Sequence, residues 1–144
     1  MNKIPHIDFN EKVNLDIGCA SKTEKNHYGI DNRDCGQAII WDVTNGLPFP
    51  NDSVDKIRTS HFLEHLSVDE EIEFFKEVLR VLKVKGNMEN RLPHSDSRTA
   101  FYPGHKSYWN EQKVEAFTRS GLSKFVILKN EKMGEELFFS IQKL

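Results

Sequence analysis

Long apolar runs are missing from this sequence. None approaches the ~20 residues that a helix needs to cross a bilayer, so a membrane partner is not expected. The N-terminal stretch MNKIPHIDFNEKVN carries no apolar core of a secretory signal, which points to a cytoplasmic protein. Cysteine is scarce: Cys19 and Cys35 are the two, in no CxxC pair. That excludes a disulfide framework and a cysteine metal knuckle and leaves two reduced thiols. Charge of one sign is also missing. The net charge is −2 with acids and bases interspersed, so a broad nucleic-acid surface is not indicated. No repeat, low-complexity block or linker interrupts the chain. Its 144 residues suit one domain, 1–144, with one core.

What is present is an alternation of short apolar runs and one strong helix signal. Lys12 to Ile17 reads as a strand, with Val13, Leu15 and Ile17 alternating. His27 to Ile30 and Ala38 to Trp41 read as two more, and Val54 to Thr59 as a fourth. The segment GLPFPNDS before the fourth is a loop by composition. Ser67 to Lys83 is the helix. Ser67 with Glu70 makes a capping box, Ile72, Phe75, Val78, Leu79 and Leu82 make the inward face, and Gly86 is a candidate stop. Asn87 to Leu92 follows as a fifth strand of unusual polarity. Met88, Asn90 and Leu92 share one face, and Asn87, Glu89 and Arg91 the other. Asn110 to Ser120 reads as a short helix with Val114 and Phe117 inward and Gly121 as its stop. SKFVILKN and EELFFSIQKL, either side of EKMG, read as an antiparallel hairpin. Such a pattern predicts an α/β fold: a mostly parallel sheet with an antiparallel edge.

In open parallel sheets, ligands bind beyond the carboxyl ends of the strands. The tips there are Asp16 to Ala20, Asp31, Asp42, and Ser60 with His61. Gly18 and Ala20 let a ligand approach the backbone. Asp31 suits the paired hydroxyls of a ribose. The segment GCASKT lacks the third glycine of the dinucleotide fingerprint, and Asp16 would repel a pyrophosphate. A ribose-bearing ligand with positive charge and no phosphate fits better, and S-adenosylmethionine is one. Asp42, beside Val43, could accept from an adenine amino group. Asp16 could instead cap local N–H groups, and Asp42 could simply open a turn with Thr44 and Asn45.

The order LDIGCA, GID, WDVTNGLPFPNDSVDKIRTSHFLEHL and FFKEVLRVLKVKG resembles the Rossmann-like, class I S-adenosylmethionine-dependent methyltransferases. It is most similar to the small bacterial and phage group of methyltransferase type 11. The resemblance implies a three-layer fold with a mostly parallel sheet, a C-terminal antiparallel hairpin and a shortened first helix. It also implies a cofactor site of Asp16, Gly18, Cys19, Ala20, Asp31, Asn32, Asp42, Val43 and Ser60, with Ala20 in place of a glycine. His61 and Ser60 would border the transferred methyl.

On the acceptor side, His61 is the candidate catalytic residue, as a general base for a hydroxyl or amine. The polar aromatic stretch from His94 to Trp109 is long for a loop. His65, His94, Arg98, Tyr102 and His105 are candidate substrate contacts, with Tyr102 or His105 expected to face His61. The acceptor would be a small molecule or a surface-exposed group. HFLEH does not match the HExxH zinc motif, so no metal is expected. A cofactor-binding module without turnover is the alternative reading. A hydrolase with a metal on His61, His65, His94 and Asp96 is a third.

Overall fold

The computed structural model describes residues 1–119 and 124–144; the Gly121 stop lies outside them. The strands are β1 (Asn14–Ile17), β2 (Tyr28–Asp31), β3 (Ile39–Ile40), β4 (Val54–Ser60), β5 (Leu82–Pro93), β6 (Phe125–Met133) and β7 (Glu136–Lys143). The helices are α1 (Val68–Val81) and α2 (Glu111–Arg119), with three short 3-10 turns. One seven-stranded sheet runs in the order β3-β2-β1-β4-β5-β7-β6. β1 to β5 are parallel neighbours, and β7 enters antiparallel between β5 and β6. The expected α/β Rossmann-like fold with its terminal hairpin is therefore observed. The free edge of β3 is closed by a single antiparallel bridge from Lys3 to Ile40.

Strand register sorts the side chains into two unlike faces. Leu15, Ile57 and Met88 lie in line across the sheet, with Ile141 beyond; all four are buried. Asp16, Arg58, Glu89 and Ser140 line up on the other face. Both helices cover the apolar face. Phe75 of α1 meets Phe117 of α2 at 4.8 Å between ring centroids. Trp109 stacks on Phe139 of β7 at 5.5 Å and 12°. The polar face is covered by no described helix. The β1–β2 connection contains turns only, so a loop stands where the resemblance implied a shortened first helix.

That asymmetry accounts for the polarity of β5. Glu89 and Arg91 face solvent and pair with neighbours: Lys56 with Glu89 at 3.1 Å, and Arg91 in a two-pronged bond to Glu136 at 2.6 and 2.8 Å, while Asn87 is half-buried on the same face. Asn90 points inward and accepts from Thr59 Oγ1 at 2.7 Å.

The capping box forms as read. Ser67 Oγ accepts from Glu70 N, and Glu70 Oε1 accepts from Ser67 N. Two details of α1 differ from expectation. The buried stripe is Phe74, Phe75, Val78 and Val81, and Ile72 is 40% exposed. The inward side also carries Glu71, which is buried and bonded to Lys113 of α2 at 3.0 Å. The helix ends at Val81 without a glycine. Leu82 turns extended and pairs with Val54, so Gly86 lies inside β5. A Cβ there would meet Lys83 O at 2.8 Å and Asp55 O at 3.1 Å.

Trp109 is the keystone of the helix-covered face, touching Phe75, Phe117 and Phe139. Trp109→Ala should cost about 3–5 kcal/mol, the scale of large aromatic truncations in a core, measured by urea unfolding. A loss under about 1 kcal/mol would mean that this cluster does not hold the helices down.

Candidate functional site

The carboxyl ends of β1, β2, β3 and β4 open into one cavity of about 810 Å³. This lies within the range of small-molecule sites, roughly 300–1,000 Å³. Asp16, Gly18, Cys19 and Ala20 line it from the β1 turn. Asp31 and Asn32 come from β2, Asp42 and Val43 from the turn after β3, and Ser60 from β4. His61 and His65 line its mouth.

The two buried acids do double duty. Asp16 is 1% exposed. Its Oδ2 accepts from Glu24 N at 2.8 Å and lies 3.3 Å from Arg58 Nη1. Asp31 is 8% exposed. Its Oδ2 accepts from Ala20 N at 3.0 Å, and its Oδ1 from Arg33 N at 3.0 Å. Both carboxylates thus cap backbone and face the cavity. Asp42 opens the turn after β3 through Oδ1, which accepts from Thr44 N and Thr44 Oγ1. Cys19 is buried, and burial pushes its thiol pKa up, so it is not a poised nucleophile.

The turns are bent beyond ordinary side-chain conformations. Gly18, Ala20 and His61 all have positive φ, at 73°, 49° and 54°. For non-glycine residues this costs energy and marks backbone held by its surroundings. At Gly18 space also decides: a Cβ would stand 2.4 Å from Phe62 Cδ1. Gly29 has no room either, because Thr23 of the crossover loop lies over it, 2.2 Å from a Cβ.

His61 projects from the β4 tip between two carboxylates. Nε2 is 3.0 Å from Glu136 Oε2, and Nδ1 is 3.6 Å from Glu64 Oε2. Glu64, with Glu136 behind it, raises the imidazole above its ordinary pKa against the opposing effects of burial and Arg91. Arg91 in turn holds Glu136 below the usual carboxylate range.

The long loop reaches the same end of the sheet. Lys106 N and Ser107 N both donate to Glu64 O. This brings His105 edge-on against His65, with ring centroids 4.8 Å apart. The other proposed substrate contacts are elsewhere. His94 is buried, with Nε2 bonded to Glu111 and Nδ1 accepting from Asp96 N. Arg98 sits exposed on a 3-10 turn, and Tyr102 is 58% exposed. None of these three, nor His105, lines the cavity.

Sequence reasoning missed Arg58, Trp41 and Lys106, which also line it. Arg58 was legible only through register, since it stands opposite Asp16 across the β1–β4 ladder. Its guanidinium offsets the charge of Asp16 that seemed to repel anions.

A 3-2-1-4-5-7-6 sheet with its cavity at the strand tips is the Rossmann-like architecture of class I methyltransferases. The chain belongs to the methyltransferase domain family, whose model matches residues 11–88. Among solved structures it is similar to an S-adenosylmethionine-dependent methyltransferase from Archaeoglobus fulgidus. The identity is 15%, the TM-score 0.70, and the match covers 92% of this chain and 86% of that one. A chain of a Haloferax volcanii complex containing the Trm112 methyltransferase activator gives 13% identity and a TM-score of 0.71, over 92% and 82% of the two chains. The [4+2]-cyclase SpnF gives 16% and 0.70, over 92% and 74%. At these identities the likeness shows the fold. No curated protein matches the chain.

Gly18→Ala should destabilise the protein by about 2–4 kcal/mol, combining left-handed strain with overpacking. Adding Phe62→Leu should return only the overpacking part. Chemical denaturation of both variants checks this; a neutral Gly18→Ala would contradict the geometry.

Proposed function

We propose that the protein transfers a methyl group from S-adenosylmethionine to an acceptor that enters beside His61. The observation that carries this reading is the convergence of acids from three successive strand tips on one cavity. The residues fit the cofactor. Asp31 has lone pairs left for two ribose hydroxyls. Asp42 uses only Oδ1 in its turn, which leaves Oδ2 for an adenine amino group beside Val43 and Trp41. The Asp16–Arg58 pair offers an anion and a cation to the zwitterionic amino-acid end.

When bound, S-adenosylmethionine supplies a methyl group on a sulfonium, already an activated leaving group. The chain's own task is then positioning, holding the acceptor within ~3–3.5 Å of that methyl. Ser60 and His61 border this end, and we assign His61 to the acceptor side. The acceptor is a small molecule or an exposed group of a larger one. We place the protein in the cytoplasm, in keeping with its two free cysteines. No described helix is long and apolar enough to cross a membrane.

S-adenosylhomocysteine at 100 times its Kd should add ~2.7 kcal/mol of stability and raise Tm by several degrees. No shift at millimolar ligand, in a folded sample, would overturn the cofactor reading. A shift without methyl transfer to any acceptor offered would favour the binding module.

Asp31→Ala should weaken that binding by roughly 1.5–3 kcal/mol, the scale of charged hydrogen bonds. It should also lower the stability of the free protein by about 1 kcal/mol, because Ala20 N loses its acceptor. Calorimetry and urea unfolding read the two effects separately. Unchanged affinity would remove Asp31 from the site.

A further inference from the structure

We propose that Glu64, His65 and His105 form a site for one divalent transition-metal ion at the mouth of the cavity. Each offers one ligand atom, and these atoms lie within 4.8 Å of one another. Tetrahedral ligation at about 2.0–2.1 Å sets donor separations near ~3.3 Å. Closure by roughly 1.5 Å or less therefore brings the three together.

Glu64 supplies the independent sign of a missing cation. It is 2% exposed, and neither carboxylate oxygen accepts a hydrogen bond. A buried carboxylate left this way is costly. His61 Nδ1 faces Oε2 at 3.6 Å, an ion-pair distance too long for a good hydrogen bond, so both oxygens keep acceptor capacity for a metal. The backbone carbonyl of Glu64 is satisfied by the loop; its side chain is not.

The histidines are already oriented as ligands. His65 Nδ1 meets the carbonyl of Gly104 at 3.3 Å, and His105 Nδ1 meets that of Ala100 at 3.1 Å. A carbonyl can only accept, so each Nδ1 is the donor, and in the neutral ring Nε2 is then the nitrogen left for a metal. Metal-bound histidines are held in this manner, with the second nitrogen donating to a carbonyl or carboxylate. Two imidazoles and one carboxylate suit zinc, cobalt or manganese better than magnesium or calcium. Three protein ligands leave coordination positions open. His65 lines the cavity, so the site adjoins it, and an open position can take water. HFLEH escaped the HExxH pattern because the third ligand comes from the loop forty residues on, carried in by the Lys106 and Ser107 bonds.

The test uses the full chain, freed of any affinity tag, titrated with Co²⁺ and Zn²⁺ by calorimetry and, for Co²⁺, visible absorption. One ion per chain is expected. Glu64→Gln and His105→Ala, shown to be folded by circular dichroism, should each weaken binding by at least about 100-fold, beyond the loss typical of an outer-shell change. His6→Ala, at an exposed histidine outside the group, should bind as the parent does. Both ligand variants should keep the S-adenosylhomocysteine-induced Tm shift, so the metal site and the cofactor reading fail separately. Absence of saturable binding to the folded parent at millimolar metal would overturn the proposal. So would unaltered affinity in both ligand variants, or an equal loss in His6→Ala.

Discussion

A parallel strand pair must be joined by a crossover, and here the first crossover has no helix. Parallel connections usually need a dozen or more residues, most often as a helix that packs on the sheet. The stretch from Gly18 to His27 makes the journey as turns. It is held by two buried carboxylates. Asp31 takes the Ala20 N–H as the chain leaves β1, and Asp16 takes the Glu24 N–H halfway along. Gly29 then lets Thr23 lie directly on β2. The residues that hold this loop are also residues that line the cavity. Structural and ligand roles are therefore not competing explanations for Asp16 and Asp31.

The missing helix also decides the character of the sheet. With no described helix over its second face, most side chains there do not join the core. They are polar, and they pair: Lys56 with Glu89, Arg58 with Asp16 and Glu24, Arg91 with Glu136, Lys129 with Glu131. Phe138 on this face lies under Arg91 and Lys129, which shield its ring. Apart from the pair on buried Asp16, these ion pairs are exposed and contribute little stability each. Their role is to keep an open face solvated while the apolar face carries the burial, through α1, α2 and the ring cluster around Trp109.

Much of this was legible in the sequence where the signal is local. Alternation located the strands, and Ser67 with Glu70 located the start of α1. The small and acidic residues at strand ends located the cavity lining, because parallel topology gathers strand tips at one edge. Three kinds of information were not local. The inward side of α1 includes Glu71, whose partner Lys113 comes from another helix. The partner of Asp16 is Arg58, on a strand far along the chain. The burial of Glu64 with neither carboxylate oxygen hydrogen-bonded is a fact of packing. The polarity of β5 was visible from the start, but its cause was the absent layer above it. His94 is a reminder of the converse. It looked like a cavity residue by composition, and the structure spends both its ring nitrogens on Glu111 and Asp96.

The central claim is that the cavity at the strand tips holds the adenosyl group through Asp31. The most direct measurement is a crystal structure with S-adenosylhomocysteine bound. The account predicts the ribose hydroxyls at about 2.5–3.0 Å from the Asp31 carboxylate, with the adenine between Asp42 and Val43 and the sulfur toward Ser60 and His61. A ligand bound outside this cavity, or with its ribose out of hydrogen-bond reach of Asp31, would contradict it.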